Sequence, residues 1–149
     1  MIFFCADCEK TMLTPEGYAR LRRLVLYVED NLTNLALVEE LLDRRPDLTL
    51  ISACTGREGI ALAGARQPVI ILMDIHLPDM SGLDALKLLR AHSATSHIPV
   101  MALSSNAFAR QIEQALDAGF CRYLTKPFKI AEFNDALDAC LELAGAPHA

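Results

Sequence analysis

Five consecutive apolar residues, Val69-Ile70-Ile71-Leu72-Met73, run without polar alternation and stop at Asp74. A strand covered on one face alternates apolar with polar residues, whereas a short unbroken apolar run reads as a central strand of a parallel sheet covered on both faces. Helices must then pack on both sides of that sheet, and Asp74 falls at the carboxyl end of its strand.

The rest of the chain agrees with this requirement. Strand-like and helix-like segments alternate from Leu24 onward, the pattern of a parallel sheet with helices on both faces. The strands are expected at 24 to 28 (LVLYV), 48 to 53 (LTLISA), 69 to 74 (VIILMD), 98 to 104 (IPVMALS) and 121 to 125 (CRYLT). Helices are expected between them. Leu35, Val38, Leu41 and Leu42 share one face after Asn31, and residues 57 to 66 are rich in helix formers. Ser81 is placed to cap a helix carrying Leu83, Leu86 and Leu89, and Gly119 to stop one marked by Ile112, Ala115 and Leu116. A last helix starts after Pro127 and runs to about Leu143, with Phe133, Leu137, Cys140 and Leu141 as its inner stripe. The fold class is therefore α/β, a doubly wound five-stranded parallel sheet.

Composition narrows the function. With 149 residues, 52% of them hydrophobic, the chain fits one domain with a substantial core. No apolar run approaches the ~20 residues of a membrane helix, and "MIFFCADC" lacks the basic start and full hydrophobic stretch of a signal peptide, so the cytoplasm is the expected compartment. The net charge of -5 argues against direct nucleic-acid binding, which needs a concentrated basic surface. Five cysteines is an odd number, and Cys54, Cys121 and Cys140 lie within apolar patterns; they read as reduced thiols filling a core, with no disulfide framework. Cys5 and Cys8 form a CxxC, but no second pair or His motif completes a zinc site among His76, His92, His97 and His148. Met73, Met80 and Met101 read as core filler.

Residues 1 to 23 stand outside the alternation, as an N-terminal extension or linker; Thr14-Pro15-Glu16 resembles a helix start, giving a short helix to about Arg22. Residues 145 to 149 read as a flexible tail.

Functional groups in open parallel sheets collect at the carboxyl ends of strands. Four strand ends here are polar: Glu29 and Asp30 after the first, Asp74 on the third, Ser104 on the fourth, and Lys126-Pro127 after the fifth. Three carboxylates drawn together repel unless a cation sits among them, and an all-oxygen site with few protein ligands suits Mg²⁺.

The stretches "YVEDN", "LMDIHLPDMSG", "VMALSSNA" and "YLTKPF", in that order and each at the end of its own strand, make residues 24 to 144 similar to the receiver domains of bacterial two-component response regulators, including those attached to hybrid histidine kinases. The resemblance implies a flavodoxin-like fold with strand order 2-1-3-4-5. It implies Asp74 as phosphoacceptor, with the donor a phosphohistidine on a histidine kinase or histidine phosphotransfer protein. Asp30 would bind Mg²⁺ directly, Glu29 mostly through water, and Asp74 and the backbone carbonyl of His76 would complete the protein's share. Ser104 would hydrogen-bond the phosphoryl oxygen, Lys126 would pair with it, and Tyr123 would be the switch aromatic. The Lys126-Pro127 bond would be cis, and His76 and Asn106 would tune the lifetime of the acyl phosphate.

Glu at the first acidic position and Ser at the hydroxyl position depart from the commoner Asp and Thr, and both occur in the family. Such a domain is not an enzyme in the ordinary sense; it assists its own phosphorylation and dephosphorylation. New charge on Asp74 would bias the face formed by the fourth helix, fifth strand and fifth helix, and so regulate a downstream partner. Homodimerisation is left open. Only a few residues follow the last helix, so either a stand-alone relay or a receiver cut from a hybrid kinase is expected. Two rivals come from other classes: a receiver-like module that binds protein without phosphorylation, and an aspartate-nucleophile phosphohydrolase, for which the chain offers neither a DxD-type motif nor a cap insertion. A flavin carrier is weaker still, because no phosphate loop follows the first strand.

Overall fold

The computed structural model describes residues 23 to 145. The expected helix near Thr14, the Cys5/Cys8 pair and the tail beyond 145 lie outside the described residues. Five parallel strands form one sheet in the order β2-β1-β3-β4-β5: β1 Leu24–Val28, β2 Thr49–Ala53, β3 Ile70–Asp74, β4 Val100–Ser104 and β5 Arg122–Thr125. Every residue of β1, β3 and β4 is buried, whereas the edge strands β2 and β5 are partly open. The unbroken apolar run is thus the mark of a central strand.

Five helices cover the two faces: α1 Leu32–Asp43, α2 Gly56–Arg66, α3 Gly82–Ala91, α4 Ala109–Ala118 and α5 Ile130–Gly145. Alternation along β1 splits the core in two. Val25 and Tyr27 pack with Leu35, Val38, Leu41 and Leu42 of α1 and with Phe133, Leu137 and Cys140 of α5. Leu26 and Val28 face the other way, onto Ala63 of α2, Leu86 and Leu89 of α3 and Ala115 of α4.

Caps set where the helices begin. Asn31, Thr55 and Ser81 each accept a hydrogen bond from the backbone N–H three residues on, which fixes the first turns of α1, α2 and α3. Gly119 ends α4 at φ 120°, a left-handed conformation open to glycine. The Lys126-Pro127 peptide is cis.

Two expectations are corrected. Cys121 and Cys140 are joined in a disulfide, not held as reduced thiols. The residue before β5 and the inner face of α5 converge, with Cα atoms 6.2 Å apart, and no pattern in the sequence marks that meeting. Cys54 is exposed rather than buried, because β2 ends at Ala53 and the chain leaves the sheet there. Ile112, Ala115 and Leu116 lie on α4 as expected, with Leu116 44% exposed because α4 buries little beyond Ala115.

Candidate phosphoacceptor and metal site

The parallel sheet brings the carboxyl ends of β1, β3, β4 and β5 to one edge, and with them every group singled out from the sequence. Ligand oxygens of Glu29, Asp30 and Asp74 lie within 4.8 Å of one another. Two full negative charges at such a spacing repel by about 3 kcal/mol at an effective dielectric near 20. Glu29 is 1% exposed and Asp74 8%, while Asp30 is open to solvent.

Lys126 supplies one opposing charge. Its Nζ lies 2.7 Å from Glu29 Oε1 and 3.7 Å from Asp74 Oδ2. One lysine against three carboxylates leaves the cluster short of positive charge. Burial pushes the Asp74 carboxyl up to about 7, helped by the neighbouring Glu29 carboxylate and opposed by Lys126. Burial also raises Glu29, but the adjacent Asp74 carboxyl and the hydrogen bonds from Lys126 and Asn34 outweigh this and hold it below the usual glutamate range. The two neighbouring carboxyls are pushed in opposite directions, Asp74 up and Glu29 down, and the closer ion pair is Glu29 with Lys126.

Glu29 Oε2 is buried and receives no hydrogen bond from any donor group. A buried carboxylate oxygen without a donor, on a residue clustered with two further carboxylates, is part of a donor set that a hard divalent cation satisfies, so the residues present fit Mg²⁺.

The backbone frames Asp74. His76 N–H donates to Asp74 Oδ1 at 3.2 Å, and Gly82 N–H donates to Ile75 O at 2.7 Å, closing the loop after β3. A Cβ on Gly82 would stand 2.8 Å from Asp74 O and 2.9 Å from the Cα of Ile75, so only glycine lets α3 begin so close to the end of β3. Ser104 is fully buried; its Oγ accepts from Asn106 N–H at 3.1 Å, and its carbonyl accepts from Lys126 N–H at 2.7 Å. Tyr123 is half-buried and donates through its hydroxyl to Asn106 O at 2.8 Å, which ties β5 to the loop after Ser104.

Three participants escaped the sequence reading. Tyr27 and Asn34 both donate to Glu29 Oε1, at 3.2 and 2.7 Å. Asp79 accepts from the N–H groups of Gly56 and Arg57, at 2.8 and 3.0 Å, so the loop after Asp74 is pinned to the start of α2; these two bonds hold its carboxyl below the usual range. The available signals were a lone hydroxyl in an apolar strand two residues before Glu29, and an amide in the first turn after Asp30.

Sheet order, helices on both faces and an acidic cluster facing a lysine at the carboxyl edge define a receiver-type domain. Residues 25–138 match the response regulator receiver domain model, and the chain belongs to that family. It is 34% identical over 117 residues to the polar-differentiation response regulator DivK of Brucella ovis, covering 78% of this chain and 94% of DivK. It is 32% identical over 135 residues to the signal transduction histidine-protein kinase BarA of Escherichia coli K12; this covers 90% of the chain but only 14% of BarA. Among solved structures, the receiver domain of sensor histidine kinase PA1611 from Pseudomonas aeruginosa superposes with a TM-score of 0.72 at 33% identity, covering 80% of this chain and 97% of that one. That structure carries a magnesium ion coordinated in its active-site cleft. Among the described residues no helix is long and apolar enough to cross a membrane.

Proposed function

We propose that residues 24 to 144 form a receiver that accepts a phosphoryl group on Asp74 from a phosphohistidine of a histidine kinase or histidine phosphotransfer protein. The observation that carries this reading is the convergence of Glu29, Asp30 and Asp74 on Lys126 at one sheet edge. The kinase identity of BarA and the magnesium in the PA1611 receiver support the donor class and the cation.

In this reading a carboxylate oxygen of Asp74 attacks phosphorus in line, the P–N bond to the donor imidazole breaks, and that imidazole leaves with the electron pair and takes up a proton. Such transfer asks the protein mainly for positioning and charge neutralisation. Glu29, Asp30, Asp74 and the His76 carbonyl would hold Mg²⁺, which neutralises charge on the phosphoryl oxygens. Lys126 turns from Glu29 to the phosphoryl group, and the buried Ser104 hydroxyl donates to one of its oxygens. Ser104 lies two residues before Asn106, whose carbonyl holds Tyr123, so movement of Ser104 is transmitted to Tyr123 and to the surface of α4, β5 and α5. A downstream protein reads that surface, in the cytoplasm and without direct nucleic-acid contact. The domain accelerates its own phosphorylation and dephosphorylation and turns over no free substrate.

The test is intact-mass spectrometry after incubation with acetyl phosphate, with and without Mg²⁺, on the wild type and on Asp74→Asn. One phosphoryl group gained only with Mg²⁺ and only on the wild type supports the reading. No gain, together with no beryllofluoride adduct, overturns it in favour of a phosphorylation-independent binding module.

A further inference from the structure

Three donors converge on a single oxygen of a buried carboxylate. Tyr27 Oη at 3.2 Å, Asn34 Nδ2 at 2.7 Å and Lys126 Nζ at 2.7 Å all donate to Glu29 Oε1. An ionised carboxylate oxygen has about two lone-pair sites, so Oε1 is saturated. Oε2 is left buried and without a donor group. The orientation of Glu29 is therefore over-determined by residues on three elements.

Tyr27 is a costly choice for its position. It is fully buried and is the only residue of β1 with a polar side chain; a buried phenol needs a partner, and Glu29 Oε1 is the one it has. A phenylalanine would fill the same volume in the core without that demand. Asn34 reaches the same oxygen from the first turn of α1, whose start is set by the Asn31 cap on Asn34's own N–H.

The arrangement also bears on Lys126, which must leave Glu29 to reach a group on Asp74. Its departure would otherwise leave Oε1 of a carboxylate that is 1% exposed without a donor, a substantial cost. With Tyr27 and Asn34 in place, Oε1 stays paired.

We propose that Tyr27 and Asn34 are positioning residues for the acidic site: they turn Glu29 so that Oε2 is presented to the divalent cation, and they hold Oε1 while Lys126 moves to the phosphoryl group. This rests on the reading of the site as a Mg²⁺-dependent phosphoacceptor.

The experiment is calorimetric titration of the metal-free full chain with Mg²⁺, for the wild type, Tyr27→Phe and Asn34→Ala, followed by fluorine NMR of beryllofluoride binding at saturating Mg²⁺. Urea unfolding without metal is run in parallel. The expected result is Mg²⁺ affinity weakened about tenfold in each variant, as loss of one hydrogen bond to a charged group implies, with beryllofluoride affinity reduced even when the cation site is full. Asn34→Ala lies on α1 outside the strand core, so it keeps the test open if Tyr27→Phe folds poorly. Wild-type affinities in a variant that has lost only folding stability would overturn the proposal and leave Tyr27 and Asn34 as structural residues. A wild type that binds neither Mg²⁺ nor beryllofluoride overturns the functional reading itself, and this inference with it.

Discussion

Lys126 is nearer to Glu29 than to Asp74: its Nζ makes a 2.7 Å contact with Glu29 Oε1 and stands 3.7 Å from Asp74 Oδ2. The lysine therefore pairs first with Glu29 and only partly opposes the upward push that burial gives Asp74. This division of labour makes the resting site asymmetric, with an ion pair on one side and a proton-hungry aspartate on the other.

Removing the lysine should expose that asymmetry. Lys126→Met leaves Glu29 buried with its charge uncompensated, and breaking a buried pair from one side costs about 3 kcal/mol or more. Urea unfolding of the metal-free protein should show this loss, and Glu29→Gln added to Lys126→Met should restore most of it. Additive losses in the double variant would contradict the pairing.

Protons should compete with the cation. The Asp74 carboxyl is raised to about 7, so in the metal-free protein the stability linked to its protonated form is complete below the unfolded value near 4 and is lost as pH rises through about 7. Asp74→Asn should accordingly raise Tm more at pH 8 than at pH 5. By the same linkage, Mg²⁺ affinity of the wild type should climb between pH 6 and 8, as calorimetry at several pH values would report.

Gly82 should tolerate no side chain. Gly82→Ala drives a Cβ to 2.8 Å from Asp74 O, a backbone atom that has no rotamer to escape into. A loss of about 1 to 3 kcal/mol follows from overpacking. Because the displaced atoms belong to Asp74 and Ile75, phosphorylation by acetyl phosphate should slow in the surviving folded fraction.

The Cys121–Cys140 bridge should be detectable by selective labelling. In the oxidised protein, alkylation should mark Cys54 and spare Cys121 and Cys140 until a reductant is added, as peptide mapping would show. The bridge spans a sequence separation of 19 residues, for which loop-closure entropy gives a stabilisation of about 3 kcal/mol. The urea midpoint should fall on reduction, and Cys140→Ser should lose that dependence.

Much of the architecture was legible in advance because its signals are local. The unbroken run ending at Asp74 marked a doubly covered strand, and Asn31, Ser81 and Gly119 marked helix ends, since each states a backbone requirement that its neighbours alone meet. Glu29, Asp30, Asp74, Ser104 and Lys126 were legible for a related reason: each closes a strand, and a parallel sheet gathers strand ends whatever else the chain does.

Partner choice was not legible. That Lys126 selects Glu29, 97 residues away, that Tyr27 and Asn34 saturate one oxygen of it, that Asp79 caps α2, and that Cys121 meets Cys140 are all decided by how separate elements stack to within an ångström. Hydrogen bonds and disulfides require that precision, while hydrophobic periodicity requires only the correct face. The sequence by itself thus determined the sheet, the helices and which groups meet at its edge; the tertiary structure alone decided which atom of each group faces which other.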